Sequence, residues 1–113
     1  MASIFTFRTR SADRDRETDS RRLQSLRASF DELCGQIRGE EEGLRRRYER
    51  VRDQAAFAVQ NLDNGGSARL AAKADTLART LGQCEARLAT LKAQSDFLAS
   101  LRDQLDARKK LWE

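Results

Sequence analysis

The segment Asp63-Asn64-Gly65-Gly66-Ser67 is the one cluster of turn-forming residues in the chain. Gly65 or Gly66 can adopt the left-handed conformation that ends a helix, because glycine has no Cβ atom to clash with the backbone. Ser67 is a good N-cap for a following helix, since its hydroxyl oxygen can accept a hydrogen bond from a backbone N–H in the first turn. The segment therefore predicts a single turn between two helices.

Mostly apolar residues after the turn recur at alternating spacings of four and three residues. This pattern is typical of a helix that packs along one stripe, as in a coiled coil. It predicts a second helix over about residues 67–112. The members of the stripe are Leu70, Ala74, Leu77, Leu81, Cys84, Leu88, Leu91, Ser95 and Leu98, continued by Leu105 and Trp112.

A similar stripe precedes the turn, in two parts, and predicts a first helix over about residues 12–62. Between Ile37 and Leu44 the spacing slips, because Glu40 or Glu41 occupies the middle position. Such a four-residue shift is a stutter, which locally unwinds a coiled coil. The predicted members are Leu23, Leu26, Phe30, Leu33 and Ile37, then Leu44, Tyr48, Val51, Ala55, Ala58 and Leu62.

The two stripes match when the chain folds back at residues 63–67, so that Leu62 faces Leu70 and Leu33 faces Leu98. The expected fold is all-α, with two long helices in an antiparallel coiled-coil hairpin over residues 12–113 and an N-terminal tail over residues 1–11. The tail is the one β-prone segment. Because two helices bury little apolar surface, we expect the hairpin to dimerise into a four-helix bundle.

The composition excludes several classes of function. The chain has no histidine and only two cysteines, so histidine-based triads and a zinc site made by the chain alone are excluded. We expect no catalytic residue, no cofactor and no metal, because the carboxylates fall on exposed helix surfaces. No apolar run approaches the roughly 20 residues of a membrane span. Residues 1–7 lack the pattern of a secretory signal, which favours a cytoplasmic location.

Apolar residues outside the predicted stripes, together with Trp112 at the end of the second stripe, are the candidate contact residues for a partner. One group lies just before the turn, and another lies at the open end of the hairpin beside basic residues. An alternative for the open-end group is that it folds back and closes the bundle. The candidates are Phe5, Phe7, Phe57, Val59, Phe97, Leu101, Leu111 and Trp112.

Three glycines, Gly35, Gly39 and Gly43, recur every four residues inside the first helix. Each glycine weakens a helix by roughly 1 kcal/mol. Since the predicted stutter falls in the same region, these glycines are a candidate hinge or close-contact site. A tolerated local defect is the alternative.

The most basic stretch of the chain is a candidate site for contact with nucleic-acid phosphates. Glu41 and Glu42 lie one helical turn before two of its arginines, so the alternative is an ion-paired, solvated helix surface. The basic residues are Arg45, Arg46, Arg47 and Arg50.

Two families contain small helical hairpins. The secreted WXG-type proteins carry Trp-x-Gly in the turn, whereas this turn reads Asn64-Gly65-Gly66-Ser67 and the single tryptophan is Trp112. In architecture and in arginine and glutamate content, the chain resembles the stalk proteins that rotate against, or activate, the ATPases of flagellar and type III secretion systems. This resemblance implies a stalk-like or chaperone-like component of a bacterial export ATPase.

We therefore expect a non-enzymatic coiled-coil module for protein–protein interaction, an adaptor or scaffold component whose partners are a second copy of itself or a larger assembly. The export-ATPase component is the alternative interpretation. A basic helical hairpin that binds nucleic acid is the third.

Overall fold

Two long α-helices joined by a short turn make up the computed structural model of the protein. Helix α1 spans Ala2–Asp63, helix α2 spans Ala68–Ala107, and a short 3-10 helix spans Lys109–Trp112. The structure describes the backbone of residues 2–112 and the side chains of residues 11–112. The described part contains no β-strand, and the two long helices pack against each other. The predicted all-α helical hairpin is confirmed.

Helix α1 begins at Ala2, whereas the sequence predicts a tail over residues 1–11 and a helix from about residue 12. No proline or glycine occurs before Gly35, so nothing in this stretch stops a helix from extending toward the N-terminus. The β-branched and aromatic residues near the N-terminus carry only a weak preference for extended structure. The side chains of Phe5 and Phe7 lie outside the described residues.

The turn ends α1 and begins α2 with the residues that the sequence predicts. Gly65 has a φ of 91°, in the left-handed region that favours glycine. The N–H groups of Gly65 and Gly66 donate to the carbonyl oxygen of Leu62, at 3.1 and 3.4 Å. The hydroxyl oxygen of Ser67 accepts a hydrogen bond from the N–H of Leu70 at 3.4 Å, which is the contact of an N-cap.

Gly66 is required for a different reason, which is space. A Cβ atom at this position would lie 2.6 Å from Cδ2 of Leu70 and 2.9 Å from the carbonyl oxygen of Asn61. The same atom would lie 3.1 Å from Cα of Leu62. The missing side chain therefore allows the first leucine of α2 to pack closely against the end of α1.

The chain forms two compact units, and both long helices contribute to each of them. One unit comprises Met1–Gly35 and Asp96–Glu113, and the other comprises Gln36–Ser95 and contains the turn. Helix α1 is continuous through the boundary, which follows Gly35.

The core of the unit Gln36–Ser95 follows the predicted stripes. Its most buried side chains are Val51, Ala58, Cys84 and Leu91, and Leu91 is only 1% exposed. The other members of the two predicted stripes in this unit are half-buried. The predicted stripe of α2 is therefore confirmed here.

The core of the other unit differs from the prediction. Leu23 is buried, as predicted, but Leu26 and Leu33 are 40% and 46% exposed. Arg27 and Cys34, which follow the two leucines in the sequence, are the half-buried residues instead. The prediction that Leu26 and Leu33 belong to the stripe is wrong, because Arg27 and Cys34 are the residues that fit the four–three repeat although they are less apolar.

With Arg27 and Cys34 in the stripe, the inward-facing residues of α1 alternate at spacings of four and three without interruption from Leu23 to Ala58. The predicted stutter is therefore absent, and Glu41 occupies a half-buried position in the regular repeat. These inward-facing residues are Leu23, Arg27, Phe30, Cys34, Ile37, Glu41, Leu44, Tyr48, Val51, Ala55 and Ala58.

Candidate interaction surfaces

Polar contacts join α1 and α2 in the unit Gln36–Ser95. Arg87 donates two hydrogen bonds to the carboxylate of Glu40, from Nε at 2.8 Å and from Nη2 at 3.0 Å. Tyr48 donates its hydroxyl hydrogen to Oε1 of Glu85 at 2.9 Å. Both contacts join residues that lie near each other when the chain folds back at residues 63–67, so they fit the predicted alignment. Sequence reasoning considered only ion pairs within one helix and missed them.

The cross-helix hydrogen bonds change the pKa of the groups that make them. The hydrogen bonds from Arg87 hold the pKa of Glu40 below its ordinary value, and they raise the pKa of Arg87. Donation to Glu85, together with the negative charge of that carboxylate, raises the pKa of Tyr48. The lowered pKa keeps Glu40 ionised, and the raised pKa values keep Arg87 and Tyr48 protonated. These are the protonation states that make the contacts.

Two ion pairs join the helices in the unit that contains both chain ends. Arg27 pairs with Asp106 at 3.0 Å, and Arg102 pairs with Asp31 at 3.1 Å. Successive residues of an α-helix are rotated by about 100°, so Arg27 and Asp31 share one side of α1, while Arg102 and Asp106 share one side of α2. The two pairs therefore follow one edge of the helix–helix contact.

Four apolar residues lie along the opposite edge of the same unit. At about 100° per residue, Leu26 and Leu33 fall on the far side of the Leu23–Phe30 stripe from Asp31. By the same rotation, Phe97 and Leu101 fall on the far side of Leu98 and Leu105 from Asp106. Phe97 is 62% exposed, and Leu101 is half-buried. We call these four residues, Leu26, Leu33, Phe97 and Leu101, the Leu26–Phe97 face.

Sequence reasoning found half of the Leu26–Phe97 face. Phe97 and Leu101 were predicted as contact residues because they fall outside the stripe of α2. Leu26 and Leu33 were assigned to the core. The four–three repeat of α1 identifies Leu26 and Leu33 as members of the face. This repeat is unbroken only when Arg27 and Cys34, and not the two leucines, occupy the stripe.

The open end of the hairpin is described only in part. Leu111 is 78% exposed and Trp112 is half-buried, both in the 3-10 helix. The side chains of Phe5 and Phe7, the other predicted members of this group, lie outside the described residues. The open-end contact site stays a prediction.

The two apolar residues before the turn do not form one surface. Phe57 and Val59 are 66% and 51% exposed. Because they are two positions apart, they are rotated by about 200° around the helix and point to different sides. Val59 lines a groove of about 510 Å³ together with Ala55 and Leu81. Phe57 does not line this groove.

The predicted basic patch is spread around α1 and mixed with carboxylates. Arg46 pairs with Glu42 at 2.6 Å, one helical turn away, as the sequence predicts. Arg46 and Arg50 line the same surface groove, and Glu49 and Asp53 line it with them. Consecutive arginines point about 100° apart, so Arg45, Arg46 and Arg47 do not share one side of the helix.

The glycines at Gly35, Gly39 and Gly43 lie within the continuous α1 helix. A Cβ atom at any of them would meet no atom within 4 Å. No neighbouring part of the described chain therefore uses the space that these glycines leave. The hinge stays a prediction, and the boundary between the two compact units follows the first of them.

Within residues 11–112, no group of three or more acidic or cysteine side chains is placed to hold a metal ion. Neither long helix has, in its described part, an apolar stretch that could cross a membrane. Cys34 is half-buried, Cys84 is buried, and both are free thiols.

Comparison with protein-family models, curated proteins and solved structures finds no match for this chain. Function is therefore inferred from the surfaces described above.

Proposed function

We propose that this chain is a non-enzymatic helical-hairpin module for protein–protein interaction, an adaptor or scaffold component of a larger assembly. The Leu26–Phe97 face carries the proposal. Three of its four members are large apolar side chains at least 40% exposed, on one edge of one compact unit. Soluble monomers rarely leave apolar side chains exposed together, and such groups often mark contact sites.

The sparse core supports the same proposal. The buried apolar residues among those described are Leu23, Val51, Ala58, Cys84 and Leu91. A protein of this size usually needs a larger core, a metal, disulfides or a partner for stability. Both thiols are free, which leaves a partner as the natural source of further burial.

The absence of a catalytic role is also part of the proposal. Catalytic groups usually have pKa values shifted by a cleft. The pKa shifts of Glu40, Tyr48 and Arg87 arise mainly from hydrogen bonds made on the exposed surface of the hairpin. Two finer points belong to the proposal as well. The four–three alternation of inward-facing residues favours coiled-coil packing, and the free cysteines favour the reducing cytoplasm.

Site-specific photo-cross-linking in cells of the native host tests the proposal. A photoreactive amino acid is placed at Phe97, and in other variants at Phe57 or Leu111. Matched controls carry it at Asp53 on α1 or at Asp103 on α2, which are exposed but not apolar. We expect protein adducts at one or more apolar positions and none at the controls. Equal labelling at all positions, or none at any, contradicts the proposal.

A component of a bacterial export ATPase is the second candidate, favoured by the hairpin fold and the charged exterior. It predicts that the cross-linked protein is an ATPase subunit and that the purified chain changes the rate of ATP hydrolysis. A nucleic-acid-binding hairpin predicts instead an affinity for DNA or RNA that falls steeply with salt. The carboxylates beside Arg46 and Arg50 make this third function the least favoured.

A further inference from the structure

The Leu26–Phe97 face has the properties of a surface that is covered in the working protein. Leu26 and Leu33 are two helical turns apart, about 10 Å along α1, and Phe97 and Leu101 are one turn apart on α2. The ion pairs Arg27–Asp106 and Asp31–Arg102 occupy the other edge. These two ion pairs therefore lie away from the face, whose four members are apolar.

The total accessible surface shows that two helices bury less of the chain than a compact fold does. The chain exposes 9016 Å², whereas a compact monomer of 12.9 kDa exposes about 6,300 Å². A stable dimer interface usually takes about 600–1,000 Å² from each chain, and obligate dimers take more. Pairing with a second copy would therefore bring the exposed area of each chain closer to that of a compact protein.

The charges around the face distinguish one kind of partner from others. Asp19 and Arg22 border the face on α1, and they lie 3.6 Å apart as an ion pair. Ser29 on α1 and Gln104 on α2 border it with uncharged groups. Arg108 donates to the backbone carbonyl of Gln104 at 3.4 Å. The border therefore carries both signs, so in a two-fold arrangement an acidic group of one copy can face a basic group of the other.

We propose that the Leu26–Phe97 face is the interface with a second copy of this chain, related by a two-fold axis and forming a four-helix arrangement. The proposal rests on the proposed function, because it names the partner of an interaction module. In a two-fold interface the same patch is used by both copies, so a patch must be self-complementary. An apolar centre with a border of both charge signs meets that condition.

Sedimentation equilibrium of the purified full chain tests this proposal. At micromolar concentration we expect a mass of about twice 12.9 kDa. Phe97→Glu and Leu26→Glu each place a charge on the face, and each is expected to weaken dimerisation at least tenfold. Phe57→Glu is the matched control, because Phe57 is as exposed as Phe97 but belongs to the other unit and is not a member of the face. It is expected to leave dimerisation unchanged.

Circular dichroism separates loss of the interface from loss of the fold. If a Glu variant loses helix, Phe97→Ser and Leu26→Ser remove the apolar contact without adding charge, and the same weakening is expected. A wild-type monomer at all accessible concentrations overturns the proposal, as does a dimer that survives both changes on the face.

Failure here is distinguishable from failure of the proposed function. Cross-linking at Phe97 to a different protein, with a purified chain that stays monomeric, means that the chain is an interaction module whose partner is not itself. Absence of any adduct in the cell and of any dimer in solution contradicts both proposals.

Discussion

Arg87 on α2 holds both carboxylate oxygens of Glu40 on α1, at 2.8 and 3.0 Å. A planar guanidinium that binds a carboxylate through two parallel hydrogen bonds fixes orientation as well as distance. Glu40 is one of the two residues at which the sequence predicts an interruption of the α1 stripe. In the structure the stripe passes through Glu41, and Glu40 beside it makes a specific cross-helix contact. The contact therefore contributes to the alignment of the helices.

Exchanging the two charges tests this contact. Glu40→Arg and Arg87→Glu are each expected to lower the free energy of unfolding, because each places like charges together. The double variant is expected to recover most of the loss, since the pair is restored in reverse. Urea denaturation of the four proteins measures this as a double-mutant cycle. Strictly additive effects would show that the pair has no energetic coupling.

The same pair gives stability a defined pH dependence. The pKa of Glu40 is lower in the folded chain than in the unfolded chain. Its contribution is therefore present above the unfolded pKa, about 4.3 for glutamate, and is lost as the pH falls through the lower folded pKa. In Arg87→Gln this part of the acid destabilisation is expected to shrink. Denaturant midpoints of both proteins across the acid range provide the measurement.

The single tyrosine reports its own contact with α2. Because Tyr48 donates to Glu85, its phenol is expected to titrate above the ordinary pKa of about 10. Glu85→Ala is expected to return the midpoint to the ordinary value, whereas Glu85→Gln, which keeps an acceptor oxygen but removes the charge, should give an intermediate one. Ultraviolet absorbance of the phenolate measures all three. Equal midpoints would mean that the hydrogen bond does not persist in solution.

The glycines divide into two groups with opposite expected responses. Gly39→Ala and Gly43→Ala meet open space, so each is expected to raise the free energy of unfolding by roughly 0.5–1 kcal/mol. Gly66→Ala brings a Cβ atom 2.6 Å from Leu70, so it is expected to lower stability by about 1–3 kcal/mol. Thermal or urea unfolding checks each sign. If binding to a partner falls in the stabilised variants, the glycines act as the predicted hinge.

The packing between the two helices is tested by comparing one buried and one exposed large apolar side chain. Leu91→Ala removes a side chain that is 1% exposed and is expected to cost about 2–5 kcal/mol of stability. Phe57→Ala removes one that is 66% exposed and is expected to change stability by less than about 0.5 kcal/mol. Comparable losses in the two variants would contradict the observed packing.

Local chemistry explains which parts of this fold the sequence predicts correctly. Gly65 and Ser67 have requirements that few other residues meet, so the turn could be identified from five residues. The stripe of α2 is also unambiguous, because its leucines fit only one repeat. These two signals are sufficient for a helical hairpin.

The sequence prediction fails on α1, where apolarity favours one set of residues for the stripe and the four–three repeat favours another. On α1, Leu26 and Leu33 are more apolar than Arg27 and Cys34, so a stripe chosen by apolarity includes the leucines. In the structure Arg27 is half-buried, and its guanidinium pairs with Asp106 on α2 at 3.0 Å. That arrangement depends on the alignment of α2 and could not be predicted from α1 alone. The missed part of the Leu26–Phe97 face follows from this one error.

The unbroken alternation of spacings along α1 limits how the length of such a chain can change. Inserting one residue into a helix rotates all the following residues by about 100°, which moves Leu44 or Leu88 out of the inward-facing stripe. Inserting seven residues into α1 alone keeps the inward-facing stripe but shifts α1 along α2, so that Glu40 no longer contacts Arg87. The inward-facing stripe and the Glu40–Arg87 contact are both preserved only when seven residues are inserted or deleted at facing positions of the two helices. We therefore expect related hairpins to differ in length by matched heptads.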